Sequence, residues 1–371
     1  MKLRYPDYYR RFSCIASECE DTCCKGWGIS IDRNTLKRYR QLGRHKILGS
    51  QMKKGIDYRN RRFRLKKGYC VFLNEDKLCS ICLEMGEEMM CRTCRRYPRH
   101  MEVYGTVKEA SLSLSCPEAA RLILNRQDET VYLEKVFHGE KEQEKEEQEK
   151  NPEYLETLLS LRESMFHILR DQKISIKIRI SMILALAHDG DRRLKGGGFS
   201  RAAELTERYE APETAAWFSR RLETFGSRDF QRRILIGEYL DMTMQMDELS
   251  EGWKQMAARC RQVSSVDFPD YQLVNLMEYY LYVYYPGAFY DGDGYTKARF
   301  AVLSLLMTVQ LASWFVKEKR LEPEKALVQA AYRYSRQTEH SDGNLELAEQ
   351  FIKRSRSCRL EQMLTCVMAD N

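Results

Sequence analysis

The chain has 371 residues, of which 43% are apolar and 31% charged, enough to bury a sizeable core and to build two domains or one domain with a large appendage. Its net charge of +7 is modest for this length and gives little support to nucleic-acid binding. The longest uncharged run, residues 300–316, is interrupted by Ser304, Thr308, Gln310 and Ser313, so it is read as a buried helix and no membrane span is expected.

The N-terminus carries charges and tyrosines where a signal peptide would carry an apolar run, so a cytoplasmic location is expected. Ten of the thirteen cysteines then fall between Cys14 and Cys116. C-I-A-S-E-C-E-D-T-C-C supplies Cys14, Cys19, Cys23 and Cys24. Cys70, Cys79 and Cys82 follow in C-V-F-L-N-E-D-K-L-C-S-I-C, Cys91 and Cys94 in C-R-T-C-R-R-Y-P-R, and Cys116 in L-S-C-P-E. Short-spaced thiolates are soft ligands that reach one zinc ion or one iron–sulfur cluster from a single turn. A disulfide framework belongs mainly to small secreted domains, which this chain does not resemble. The isolated Cys260, Cys358 and Cys366 are read as buried free thiols.

Between the cysteine groups, G-W-G-I-S-I-D at residues 26–32 alternates like a short strand, and Asp32 to Asn34 can cap a helix through Leu36, Tyr39 and Leu42 that stops near Gly43. Residues 53–68 carry eight basic side chains and one acid, Asp57. They read either as a solvated hairpin with Ile56, Tyr58, Phe63 and Leu65 facing inward, or as an electropositive edge for an acidic partner or cofactor. One or two helical turns are expected over residues 83–90, and Pro98 ends any helix begun at Cys91 and Cys94. Arg92, Arg95, Arg96 and Arg99 would place positive charge around the thiolates and could hold an anionic ligand. S-L-S-L-S at residues 111–115 reads as a strand delivering Cys116, with Pro117 opening a helix.

The segment from Tyr9 to Leu124, with F-S-C-I-A-S-E-C-E-D-T-C-C-K-G-W, C-V-F-L-N-E-D-K-L-C, C-R-T-C-R-R-Y-P-R and S-L-S-L-S-C-P-E-A-A-R-L, resembles the flagellin lysine N-methylase family. Its front is similar to a broader group of cysteine-rich zinc- or iron-chelating domains. The resemblance implies methyl transfer from S-adenosylmethionine to lysine amines of flagellin, by a protein carrying an iron–sulfur cluster, 4Fe-4S, with zinc as the alternative. Cys82 stands where a non-cysteine residue is expected, which leaves Cys14, Cys19, Cys23, Cys24, Cys70, Cys79, Cys91, Cys94 and Cys116 as the ligand candidates. The C-terminal two thirds resemble the family in being helical and aromatic, with a late E-H-S at Glu339 to Ser341.

A lysine ammonium cannot attack a methyl sulfonium, so such an enzyme must bind the neutral amine by desolvation or with a base in reach. Aromatic faces would favour both cations. Residues 278–295, E-Y-Y-L-Y-V-Y-Y-P-G-A-F-Y-D-G-D-G-Y, offer Tyr279, Tyr282, Tyr285 and Tyr290 as catalytic candidates, against a reading in which these tyrosines fill a core. His340 and Ser341 read as surface groups preceding a helix. No glycine-rich turn follows a strand to hold a nucleoside, and the spacing of Cys14, Cys19 and Cys23 departs from the radical S-adenosylmethionine motif.

The stretch 139–152 is charged and devoid of apolar residues, so the boundary is placed there: a cysteine-rich metal domain at 1–127, a linker at 128–152 and a helical domain at 153–371. Helical spacing recurs over residues 154–169, 174–187, 202–209, 214–224, 230–246, 273–285, 298–319, 323–336 and 344–365. The expected fold is mainly α: a small α+β metal-binding domain with short strands, then an irregular helical domain. The competing class is a non-enzymatic zinc- or cluster-binding interaction or redox module that docks an acidic protein.

Overall fold

The computed structural model describes residues 1–42, 48–136, 152–223 and 229–369, apart from the side chain of residue 203. The expected stop at Gly43 and the charged linker up to residue 151 lie outside the described residues. The chain is mainly helical, with a small α+β region at its N-terminal end.

Two hydrophobic cores divide the residues. The smaller, within residues 24–94, is built on thirteen buried side chains that include Ile29, Tyr39, Met52, Phe72 and Cys91. Helix Arg33–Gln41 forms there because its apolar residues share one face and Asp32 caps it, Oδ1 accepting from Thr35 N at 3.0 Å. Helices Gly49–Gly55, Ser80–Met85 and Arg92–Arg96 and two two-stranded ribbons complete this module. Residues 26–32 form no strand: the one isolated bridge within them is at Ser30, and a second precedes them at Lys25. Gly26 explains this: it sits at φ +87°, and a Cβ there would meet the Leu249 carbonyl oxygen at 2.1 Å, so the backbone turns to pack on the helical body. The basic hairpin starts later than expected, at Ile56, because Lys53 and Lys54 end a helix. Ile56 and Phe63 do face inward, whereas Leu65 is 38% exposed.

The larger core unites the helical region with Tyr8, Phe12, Tyr104, Leu112, Leu114 and helix Pro117–Leu124. The sequence places these residues in the cysteine-rich domain; packing groups them with the body. Tyr104 and Leu112 belong to a four-stranded sheet in the order Arg99–Tyr104, Val107–Leu112, Lys2–Pro6, Tyr132–Val136. Lys2–Pro6 runs parallel to Val107–Leu112 and antiparallel to Tyr132–Val136, and the latter strand falls inside the segment read as linker. The strand expected at 111–115 ends at Leu112: Ser113 N still donates to the Pro98 carbonyl at 2.8 Å, and beyond it the Ser113 hydroxyl bonds the Ser115 hydroxyl (2.7 Å) and backbone (3.3 Å) and turns the chain toward the next helix.

The sheet is pinned to the helices by buried polar bonds. Arg162, fully buried in helix Pro152–Arg170, makes a bidentate pair with Glu109, 2.6 Å in each arm. The Tyr282 hydroxyl donates to the Arg4 and Ala110 carbonyls at 3.1 and 3.2 Å. Helix Gly294–Lys319 is the axis of the body, packed by Ile176–Lys195, Asp270–Tyr284 and Pro323–Glu339. It is the one described helix long and apolar enough to cross a membrane, and 89% of its most apolar window is buried inside the protein. The single helix expected over 344–365 is two, Asp342–Arg354 and Leu360–Met368, separated at Ser355, whose hydroxyl accepts from Ser357 N.

Candidate active site between the thiol module and the helical body

The cysteines come first, because they fix the module's inner face. All thirteen are free thiols. Cys23, Cys24, Cys70, Cys79, Cys91 and Cys94 form one neighbourhood: Cys23 bonds Cys24, Cys24 bonds Cys70, Cys94 bonds Cys91, and electrostatic contacts link the pairs. Cys116 neighbours Cys19 and Cys23, and Cys82 neighbours the exposed Cys14. Cys79, Cys91 and Cys116 each occupy the N-cap of a helix, with backbone N–H groups of the first turn directed at sulfur. Those N–H groups favour thiolate, but burial outweighs them at Cys79 and Cys116, whose pKa values stay raised, Cys116 to about 12. The thiols of Cys24 and Cys94 also hold Cys70 and Cys91, respectively, below the ordinary thiol value by hydrogen bonding. Thiols are soft donors, the type that ligates zinc or an iron–sulfur cluster. Their geometry is one of pairs: among the described residues no three His, Cys, Asp or Glu side chains close on a single ion.

Asp32 positions the Cys91–Cys94 turn. Its Oδ2 accepts from Arg92 N at 2.9 Å while Oδ1 caps the helix at Arg33, so one carboxylate ties two helix starts together. Burial opposes its charge, but the hydrogen bonds from Arg92 and Thr35 outweigh this and hold its pKa down at about 2.

Against this module lies a cavity of about 880 Å3. Trp27, Arg92, Thr93 and Arg96 line it from the module, Arg99 and His100 from the sheet, and Tyr279, Tyr284, Glu339 and His340 from the body. Size and mixed lining are those of a small-molecule or cofactor pocket. The indole of Trp27 stacks on His340 with centroids 4.6 Å apart, and Tyr97 lies 5.8 Å from both rings. His340 Nε2 meets Ser115 Oγ at 2.6 Å. Burial, reinforced by the charge of Arg336 and by His100, pulls its pKa down to about 4, so the ring is neutral at neutral pH. His340 is therefore part of the seam rather than the surface group expected, whereas Ser341 does cap the next helix through Asn344 N. Arg336 adds a buried tie across the seam, to Asp21 Oδ2 at 2.6 Å and the Ser115 carbonyl at 3.0 Å.

Glu339, the last residue of helix Pro323–Glu339, faces the cavity. Its Oε2 accepts from the Tyr279 hydroxyl at 3.1 Å, and Oε1 is buried without a hydrogen-bond partner. Burial lifts its pKa to about 7, despite the neighbouring Ser335, Tyr279 and Tyr284 hydroxyls.

The four tyrosines singled out in the sequence separate. Tyr279 and Tyr290 line the cavity, Tyr290 as a half-exposed ring whose hydroxyl donates to the Val103 carbonyl. Tyr282 is the sheet anchor, and Tyr285 is buried against Gly294, away from the cavity. Of the four arginines, Arg92, Arg96 and Arg99 line the cavity and Arg95 does not. Arg99 is engaged by the Phe12 carbonyl at 2.9 Å. Glu339 and Trp27 were not among the sequence candidates. Glu339 had a signal: an acid in the last turn opposes the helix macrodipole, a local rule that functional sites break.

No solved structure matches this chain. The lysine-N-methylase of Salmonella typhimurium is 34% identical over 140 residues, 36% of this chain and 35% of that protein. That of Salmonella choleraesuis is 33% identical over the same length and shares. The flagellar biosynthetic protein FliU of Salmonella muenchen is 33% identical over 138 residues, 35% of this chain and 81% of FliU. The chain thus covers about a third of the length of the two lysine-N-methylases. A model of the FliB lysine N-methylase C-terminal domain matches residues 162–366, which carry Tyr279, Tyr284, Glu339 and His340. With more than half of its length matched, the chain belongs to the FliB lysine N-methylase C-terminal domain family.

Proposed function

We propose that the protein is a lysine N-methyltransferase, acting in the cytoplasm, that moves a methyl group from S-adenosylmethionine to lysine side chains of flagellin. The observation that carries this reading is the cavity itself: an aromatic pocket with one buried carboxyl, closed on one side by the family-matched helices and on the other by the thiol module. Methyl transfer from a sulfonium needs little covalent help from the protein and depends on bringing two cations together in line. Aromatic faces suit both. Trp27, Tyr97 and Tyr284 present such faces, which attract a sulfonium and a lysine ammonium without competing for the reacting electron pair. Arg92 and Arg96, exposed on the module's rim, suit the carboxylate of an amino-acid-bearing donor.

An iron–sulfur cluster would be held by the neighbourhood of Cys23, Cys24, Cys70, Cys79, Cys91 and Cys94. When bound, it supplies metal–thiolate bonds whose free energy becomes folding free energy for the module. The Cys91–Cys94 turn also carries Arg92 and Thr93 into the cavity, so order in the thiol set fixes one wall of the pocket. The sheet supports the opposite approach, Arg99 being held by Phe12 and the Tyr9 ring.

The test is to incubate anaerobically purified protein, with its iron, sulfide and zinc measured, with flagellin and methyl-labelled S-adenosylmethionine. Labelled lysine found by peptide mass spectrometry is the expected result. Iron without labelled lysine would favour a redox or carrier role; zinc without labelled lysine would favour a docking module.

A further inference from the structure

We propose that Glu339 is the general base of this cavity, its Oε1 accepting the proton of the substrate ammonium, and that Tyr279 is the positioning residue that holds it. The assignment rests on the methyltransferase reading above. Two observations independent of that reading support it. The first is the hydrogen-bond direction at Tyr279. Leu114 N–H donates to the Tyr279 oxygen at 3.3 Å, which leaves the phenolic proton to be donated onward to Glu339 Oε2 at 3.1 Å. The carboxyl is thereby fixed by one oxygen, and the other, Oε1, is buried in a residue lining the cavity and has no partner in hydrogen-bond geometry, although the Ser335 and Tyr284 hydroxyls lie near the carboxyl. The second is the place of Glu339 at the C-terminal end of the 17-residue helix Pro323–Glu339. The negative end of the helix dipole there favours a cation and disfavours the glutamate's own charge. A carboxylate in this setting gains most when a cation arrives.

The groups facing Glu339 are few. Tyr279, Tyr280 and Tyr284 come from helix Asp270–Tyr284, Tyr334 and Ser335 from its own helix, and His100 from the sheet. Lys297, which lines the same cavity, is committed to Glu349 and to Asp291 at 3.0 Å. No arginine or lysine among the described residues pairs with Glu339, so the incoming lysine is the cation that meets it.

One N–H bond of the lysine ammonium breaks and its proton goes to Oε1, giving the neutral amine and a carboxylic acid. The nitrogen lone pair then forms the new N–C bond to the methyl carbon as the C–S bond breaks. That bonding pair stays on sulfur, turning the sulfonium donor into a thioether. The product is a secondary ammonium, and Glu339 returns its proton to water. Tyr279 and Tyr284 stand beside this path, where their rings can sheathe the lysine stem.

The experiment compares wild type, Glu339→Gln and Glu339→Ala as full-length, cluster-loaded proteins on flagellin across pH. Glu339→Gln keeps the shape and should lose about 10²–10⁴-fold in kcat near neutrality, with KM for donor little changed. The wild-type rate should rise with pH through an inflection near 7 and then level. In Glu339→Gln that inflection should vanish and the deficit should narrow as the lysine deprotonates unaided in alkali. Formate should partly rescue Glu339→Ala. Tyr279→Phe should shift the inflection while leaving donor affinity unchanged. A Glu339→Gln rate within about threefold of wild type, or a loss equal at every pH with no formate rescue, overturns the assignment. Should both variants misfold, the wild-type profile decides: no inflection below the lysine range overturns it. If the wild type itself labels no lysine, the methyltransferase reading fails and this assignment with it, whereas an active wild type beside an active Glu339→Gln sinks the base alone.

Discussion

The thiol module and the helical body hold themselves together by different means. The body buries a continuous core around helix Gly294–Lys319 and ties it to the sheet through the buried pair of Arg162 with Glu109. The module spreads thirteen buried side chains over about seventy residues, and three of its thirteen, Cys24, Cys70 and Cys91, are also candidate ligands. Below about 70–80 residues a core of that kind usually needs a staple. On the proposed metal–thiolate reading, the body holds its core without a metal while the module relies on one, and the cavity between them is lined by both.

The largest expected effect breaks this comparison at its weaker side. If the module holds the proposed metal, removing it with a chelator under reducing conditions should abolish hydrogen-exchange protection within residues 24–94 and leave helices Asp270–Tyr284 and Gly294–Lys319 protected. Uniform loss of protection would mean that the two regions fold as one unit. Next comes the body's own tie. Arg162→Ala strands the Glu109 carboxylate in the core and should cost about 3–5 kcal/mol by chemical denaturation, with metal content unchanged. A cost below about 1 kcal/mol would show that water reaches Glu109.

Glu339 sharpens the comparison at the seam. Its folded-state pKa, about 7, lies above its ordinary value of 4.5. A raised carboxyl pKa stabilises the fold fully below the ordinary value, and that contribution is lost as pH rises through about 7. Glu339→Gln should therefore be more stable than wild type by up to about 3 kcal/mol near pH 9 and by nothing near pH 4, as read from denaturation midpoints. Equal stability at both pH values would remove the burial cost and with it the pressure to accept a cation. The smallest effect returns to the module: Asp32→Ala should cost about 1 kcal/mol through lost capping and loosen the Cys91–Cys94 turn, visible as faster alkylation of Cys94 in metal-free protein.

What the sequence made legible follows the range of the interactions involved. Asp32 as a cap, Pro117 opening a helix and the apolar run inside Gly294–Lys319 are local signals, and the structure uses them as such. Tyr279 and Tyr282 lie three residues apart on one helix, yet one reaches the cavity and the other anchors the sheet. That difference depends on Leu114, Arg4 and Ala110, which come from the distant sheet and the segment just after it. Trp27 and His340 stack across more than three hundred residues of chain, so neither position alone announces the contact. The sheet was missed for the same reason: Lys2–Pro6 becomes a strand by lying between Val107–Leu112 and Tyr132–Val136.

The central claim is that donor and lysine meet at the seam. Ultraviolet crosslinking of labelled S-adenosylmethionine to the full-length, metal-loaded protein, followed by peptide mapping, tests it most directly. The account predicts saturable adducts on Trp27, Tyr279 or Tyr284, competed by the demethylated donor. A second cavity of about 500 Å3 lies elsewhere on the body, lined by Tyr209, Trp217 and Phe218. Saturable adducts on those residues, with none at the seam, would contradict the account.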